Sequence, residues 1–284
     1  FVKIVKVELN LLINIMRKFF IFLSLFFTLS ISAQELIVIE STKNLKCNDS
    51  IWVFSPLKNH SAQSIPTLFL LHGYAGDYSN WGTKYDLQEI SDRTGFRIIC
   101  PDGFYASWYL NDVDPSKMQY RTFFDEELYP LMNEKYTLNP DYTFITGLSM
   151  GGHGAMNIFL DDPSRFRAGG TMSGVVDLTG IVNQYRLKAI LGDPTDEEPF
   201  AKESAINRVD VLAGTDKYVV ISCGYGDKPF YPMNKAFADK CVELGVNNIA
   251  LFSPGVHSWK YWGFALEQHL NWFTIIMTGG NIGK

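Results

Sequence analysis

The stretch Gly147-Leu148-Ser149-Met150-Gly151-Gly152-His153-Gly154 carries the strongest chemical signal in the chain. It follows the apolar run Thr143-Phe144-Ile145-Thr146 and precedes the helix-like Ala155-Met156-Asn157-Ile158-Phe159-Leu160. G-x-S-x-G therefore stands in the strand–turn–helix setting that turns a serine into a nucleophile. Glycines at 147 and 151 remove the Cβ atoms that would obstruct a sharp turn, and that turn exposes the Ser149 hydroxyl. The N–H groups opening the next helix favour negative charge developing beside it.

A serine hydroxyl attacks a carbonyl efficiently only when a base takes its proton, and behind such a turn the partners follow in the order Ser, Asp or Glu, His. Of the five histidines, only His257 and His269 come late enough. His257 lies in Ser253-Pro254-Gly255-Val256-His257-Ser258-Trp259, just after the last strand-like run, whereas His269 sits inside a helical run where a surface or packing role is expected. His257 is thus the candidate base. The loop Cys223-Gly224-Tyr225-Gly226-Asp227 follows the penultimate strand and offers Asp227 as the acid. Asp177, after the strand before that, is the alternative, and Asp216 precedes its strand and belongs to the wrong edge.

Acyl transfer also needs donors for a tetrahedral oxyanion. The backbone N–H of Met150 is one candidate. The turn Leu71-His72-Gly73-Tyr74 leaves an earlier strand and offers the N–H of Tyr74 as the second. His72 and His153 flank the site in sequence, where bonding to backbone and shaping the loops suit them better than proton transfer.

The elements that must position these groups are strands at 35–40, 51–55, 67–71, 97–100, 142–146, 169–173, 218–223 and 249–253, with helices at about 80–92, 120–136, 150–161, 232–245 and 259–276. Two opening strands followed by strand–helix alternation predict an α/β protein with a mostly parallel eight-stranded sheet and helices on both faces. The less regular segment 174–216 is expected to form a cap or rim over the sheet's carboxyl edge, where such sheets bind ligands. No linker or repeat divides residues 34–284, which read as a single catalytic domain.

Before them, Met16–Glu35 reads as two cations, an apolar run from Phe19 to Leu29 and small residues ending at Ala33, the pattern of a secretory signal peptide cleaved near Ala33. A membrane anchor is the other reading, but the run is about half of the ~20 residues a span needs. Residues 1–15 precede the first methionine and read as an upstream extension. Export to the periplasm or the medium follows, with no stable span in the mature chain.

Without Lys3, Lys6, Arg17, Lys18 and Glu8, the 25 basic and 30 acidic residues become 21 and 29, so the net charge moves from −5 to −8. That leaves no electropositive footprint for nucleic acid. With 46% hydrophobic and 19% charged residues, disorder and collagen-like repetition are excluded too. Cys47, Cys100, Cys223 and Cys241 show no C-x-x-C or zinc spacing; an exported chain could form disulfides, but Cys100 and Cys223 end strand-like runs and the reading is buried free thiols.

Together these residues make the chain resemble the esterase D branch of the α/β-hydrolases, which holds S-formylglutathione hydrolases, tributyrin-type, feruloyl and acetylxylan esterases and, more distantly, mycolyltransferases. The resemblance runs from about residue 50 to 276 through blocks such as LLHGYAGDYSNW, PDGFYASWYLND and HSWKYWGFALEQHLNWF. It implies an α/β-hydrolase fold, a Ser149–Asp227–His257 triad, Tyr74 and Met150 at the oxyanion positions, Trp108 and Asn111 on the substrate side, and Asp77 as a loop organiser. No metal or cofactor is implied.

The expected activity is that of a secreted serine carboxylesterase on small-molecule or polysaccharide-linked esters, acetyl or feruloyl esters of carbohydrate among them. Trp81, Tyr105, Trp108, Phe230, Tyr231 and Trp259 are candidate stacking residues at the mouth, or packing residues of core and rim. The rival readings are an acyltransferase using the same triad and a non-catalytic carbohydrate-binding protein.

Overall fold

Strand-forming runs of Val, Ile, Leu and Phe build one eight-stranded sheet in the computed structural model, which describes residues 33–40, 42–57 and 65–279. The expected leader and upstream extension lie outside the described residues. The strands are β1 (Gln34–Ile39), β2 (Asp49–Phe54), β3 (Thr67–Leu71), β4 (Arg97–Pro101), β5 (Thr143–Gly147), β6 (Ala168–Met172), β7 (Tyr218–Gly224) and β8 (Asn247–Ser253), in the order β1-β2-β4-β3-β5-β6-β7-β8. β1 with β2 and β2 with β4 run antiparallel, and every other neighbour pair is parallel. β3 and β5 are buried at every position, as central parallel strands covered on both faces must be. β1 alternates exposed and half-buried residues, as befits an edge.

Five longer helices cover the sheet: α1 (Leu87–Thr94), α2 (Tyr120–Phe123, a π-helical Phe124–Leu128, then Tyr129–Tyr136), α3 (Met150–Asp161), α4 (Tyr231–Glu243) and α5 (Trp259–Met277). Because side chains alternate along a strand, Phe69, Leu71, Ile145 and Ile221 join the core shared with α2, α3 and α4, while Leu68, Leu70, Phe144 and Val220 join the core under α1 and α5. The Phe144 and Phe273 rings stack with centroids 4.8 Å apart on that second face.

The helix expected over 80–92 is two helices, Asn80–Lys84 and α1. Tyr85 is extended, and the Asp86 side chain accepts from the Glu89 N–H at 2.9 Å, which starts a new helix instead of prolonging the old one. His269 on α5 is in the core, not at the surface. Thr146 Oγ1 on β5 and Ser222 Oγ on β7 each lie 3.0 Å from its ring nitrogens, and burial pulls its pKa down to about 3.

The segment between β6 and β7 holds short helices, Lys188–Leu191 and Glu198–Lys202, and single 3₁₀ turns. It is fastened to α3: Asn157 Nδ2 donates to the Glu203 carbonyl at 3.0 Å, and Asp161 pairs with both Arg208 and Arg121. Cys100, Cys223 and Cys241 are buried free thiols, whereas Cys47 is free but exposed. Burial pushes the Cys223 thiol up to about 12, so it is inert at neutral pH.

Asp49, at the start of β2, is fully buried. Burial first, then the nearby Asp102 charge, pushes its carboxyl up to about 8, against a smaller pull from the Ser50 N–H. An unfolded chain releases this proton near pH ~3.9, so between that value and about 8 the native state binds more protons than the unfolded one. The contribution is full at low pH and is lost as pH rises through about 8, with a slope of at most about 1.4 kcal/mol per pH unit. Asp49→Asn should remove that slope. From about pH 5 to about pH 8 the urea midpoint of the variant should therefore fall less, or rise more, than that of the wild type; equal changes would refute the assignment.

Candidate active site

Four loops at the carboxyl ends of β3, β5, β7 and β8 converge on Ser149. The serine follows β5 at φ 52° and ψ −117°, outside the regions a side-chain-bearing residue prefers, and caps α3. The turn tolerates no Cβ at its flanking glycines. One on Gly147 would lie 2.5 Å from the Gly151 carbonyl carbon, and one on Gly151 would lie 2.5 Å from the Leu71 carbonyl oxygen. The Ser149 N–H donates to the Met172 carbonyl at 3.0 Å, which fastens the strained turn to β6.

His257 Nε2 lies 3.0 Å from Ser149 Oγ, and His257 Nδ1 lies 2.8 Å from Asp227 Oδ2. A carboxylate can only accept, so Nδ1 carries the proton and Nε2 is left to accept from the serine hydroxyl. The Asp227 side chain has no solvent exposure, while that of His257 keeps 30%. The two loops carrying them are joined by the Gly226 N–H donating to the Gly255 carbonyl at 2.8 Å. Phe230 packs against the imidazole at 4.6 Å and Trp262 meets it edge-on at 4.8 Å, so the ring is held on two sides.

Other carboxylates are engaged elsewhere. Asp177 accepts from the N–H and hydroxyl of Thr179, and Asp216 pairs with Arg167. Asp77 accepts from the Ser79 N–H at 2.8 Å and its hydroxyl at 2.6 Å, an Asx turn that shapes the loop after β3.

That loop passes directly beside the nucleophile: a Cβ on Gly73 would sit 3.6 Å from Ser149 Cβ. The Gly73 carbonyl is held on the far side by His72 Nδ1 at 2.8 Å and by the Gly76 N–H at 3.2 Å. His72 Nε2 accepts from the Gly103 N–H at 2.6 Å, so the proton of this ring also resides on Nδ1. In a trans peptide the C=O and N–H point oppositely, so fixing the Gly73 carbonyl fixes the direction of the Tyr74 N–H. Among the described residues no acceptor takes the N–H of Tyr74 or of Met150. His153 is fully buried, 3.2 Å from the Val175 carbonyl, and burial draws its pKa down to about 3.

Ser149 and His257 open onto a cavity of about 340 Å³. Trp108, Phe230 and Trp259, expected at the mouth, do line it, together with Tyr74, Tyr185 and Trp262. Three expected rings do not. Trp81 is core and donates from Nε1 to the Leu71 carbonyl at 3.1 Å, Tyr231 packs on Phe252, and Tyr105 lies beyond Tyr74 on a neighbouring depression. Asn111 is a correction as well. Its amide donates to Thr122 Oγ1 at 3.0 Å and its Oδ1 accepts the Thr122 N–H at 3.2 Å, so it ties its loop to α2 and does not line the cavity. Trp262 was available from spacing, three residues after Trp259 on one helix face. Tyr185 had no sequence signal.

The Esterase family model matches residues 42–273. The diacylglycerol acyltransferase/mycolyltransferase Ag85A of Mycobacterium tuberculosis is 25% identical over 240 residues, which cover 71% of this chain and 71% of that protein. The acetyl esterase of Caldicellulosiruptor saccharolyticus is 24% identical over 256 residues, covering 82% of this chain and 95% of its own. Among solved structures, FphF, a fluorophosphonate-binding serine hydrolase of Staphylococcus aureus, superposes with a TM-score of 0.74 at 22% identity, over 85% of this chain and 99% of its own. The α/β-hydrolase fold expected from the sequence is the fold this chain shares with FphF.

Proposed function

Because the chain belongs to the Esterase family and is a carboxylic ester hydrolase, we propose that Ser149, His257 and Asp227 are its catalytic triad and that it works through an acyl-enzyme. The observation that carries this reading is the continuous hydrogen-bonded line from Asp227 Oδ2 through the imidazole to Ser149 Oγ. Ser149 Oγ attacks the ester carbonyl as His257 Nε2 takes its proton, and Asp227 steadies the imidazolium. The oxyanion accepts from the N–H groups of Met150 and Tyr74. Collapse expels the alkoxide, which His257 protonates; water, deprotonated by the same nitrogen, then attacks the acyl-serine and releases the acid.

The substrate class is small esters, acetyl or feruloyl esters on carbohydrate in particular. Support comes from a small cavity walled by aromatic rings and from the acetyl esterase relative. Export is part of the proposal and rests on the Met16–Ala33 pattern. A fluorophosphonate probe should label the protein stoichiometrically, with the adduct mapped by peptide mass to Ser149. Labelling elsewhere, or none, would sink the triad.

The Ag85A relative favours a second reading, transfer of the acyl group to an alcohol. Hydrolysis of p-nitrophenyl acetate with added glycerol or sugar separates the two: an esterase yields acetate, whereas a transferase yields mainly the new ester.

A further inference from the structure

The aromatic lining of the cavity falls into two sets, and the chemistry of the proposed reaction assigns them. His257 must hand its proton to the departing oxygen, so the alcohol half of the ester lies on the side of the imidazole. That side is built by Phe230 and Trp262, in ring contact with His257, and by Trp259 packed on Trp262. Trp108 and Tyr185 also line the cavity, meet each other and make no ring contact with His257, Phe230, Trp259 or Trp262 among the described residues, which leaves their wall to the acyl half.

Tyr185 is the only one of these rings delivered by the cap-like segment. Its backbone is left-handed at φ 50°, and so is that of Arg186 at φ 62°, two consecutive non-glycine residues in a region such residues avoid. Strain of this kind persists only where the surroundings over-determine it. Here they do: Trp108, itself buried, donates from Nε1 to the Tyr185 carbonyl at 3.0 Å, and the N–H of Leu187 closes back onto Gln184 at 3.1 Å. The Tyr185 ring then meets Tyr74 at 5.4 Å and Trp108 at 6.3 Å, while 41% of the residue remains exposed. It stands as the outer end of the acyl wall, with solvent behind it.

We infer that Tyr185 is a specificity-determining residue: the Trp108 bond to its carbonyl fixes its backbone, and its ring, packed on Tyr74 and Trp108, closes the acyl end of the cavity and restricts the enzyme to short acyl groups. The inference rests on the triad reading above. The fixing bond uses the backbone, so a side-chain substitution keeps it. Glycine also accepts the left-handed φ without strain, which makes Tyr185→Gly a variant that removes the ring and retains the turn.

The test is a p-nitrophenyl ester series from acetate to octanoate, in which the alcohol is constant and only the acyl chain varies. For Tyr185→Gly the ratio of kcat/KM for octanoate to that for acetate should rise by at least about tenfold, the effect of admitting methylenes to an apolar site. Tyr185→Phe, which keeps the ring, should retain the wild-type ratio. A Tyr185→Gly enzyme with the wild-type ratio overturns the proposal, as does a Tyr185→Phe enzyme that loses it. Fluorophosphonate labelling of each protein separates this failure from that of the triad. A labelled enzyme with an unchanged chain-length profile defeats the role of Tyr185 alone, whereas a wild type that does not label defeats the premise.

Discussion

Ser149→Ala should lower kcat on p-nitrophenyl acetate by about 10⁶-fold and Asp227→Asn by about 10⁴-fold, with the fold unchanged in both. The serine variant removes the atom that is acylated in the proposed mechanism, and no other hydroxyl stands within bonding distance of His257 among the described residues. The asparagine variant acts more subtly. Asp227 is isosteric with Asn and its side chain is shielded from solvent, so geometry survives the change. What changes is the proton. An amide N–H facing His257 Nδ1 donates to it, the ring proton moves to Nε2, and Nε2 then points a proton at Ser149 Oγ where it must accept one. The base is present and in place, in the wrong tautomer. Steady-state kinetics with thermal melts of the three proteins decide the matter. A folded Asp227→Asn enzyme within tenfold of wild type would mean that Asp227 does not set the tautomer, and full activity in Ser149→Ala would remove the acyl-enzyme altogether.

The groups in that prediction were legible in the chain because each stands at the carboxyl end of a strand that announces itself. Thr143-Phe144-Ile145-Thr146 before Ser149, Tyr218–Cys223 before Asp227 and Ile249–Ser253 before His257 are runs of β-branched or apolar residues closed by Gly, Ser or Pro. The parallel order of the sheet then brings their ends to one edge. Local signals that compete with periodicity were harder to read. Asp86 breaks the first helix through its N-cap bond to Glu89, a four-residue signature hidden inside an otherwise helical pattern. The π-helical turn in α2 leaves no trace in residue type. Rings were the hardest, since Trp81 and Trp259 look alike in sequence and differ only in tertiary surroundings. One bonds the Leu71 carbonyl in the core and the other walls the cavity, although the two rings touch at 5.2 Å. Tyr185 comes from a segment with neither strand nor helix periodicity, so nothing but its place beside Tyr74 reveals it.

His72→Leu should cost about 10²–10³-fold in kcat with KM little changed, the loss expected when one oxyanion donor is misdirected. The histidine does not touch the reacting atoms; it acts on them through one peptide plane. Nδ1–H holds the Gly73 carbonyl, and the same peptide carries the Tyr74 N–H on its other side, in the loop that passes beside Ser149 and supplies the proposed oxyanion donor. The ring is itself held by the Gly103 N–H, and its own carbonyl accepts from the Tyr109 hydroxyl at 3.0 Å, so neither the imidazole nor the strand end can drift. Leucine fills much of the same volume but offers no donor. The Gly73 carbonyl would keep only the longer bond from Gly76, at 3.2 Å, and the peptide could rotate away from the carbonyl oxygen of the substrate. Because that oxygen gains its full charge only in the transition state, the loss falls on kcat and not on KM. His72→Asn, whose amide retains a short donor, should recover part of the rate. A purely structural role for His72 predicts a different outcome: a lowered melting temperature in both variants, with the residual folded enzyme turning over at the wild-type rate per labelled Ser149.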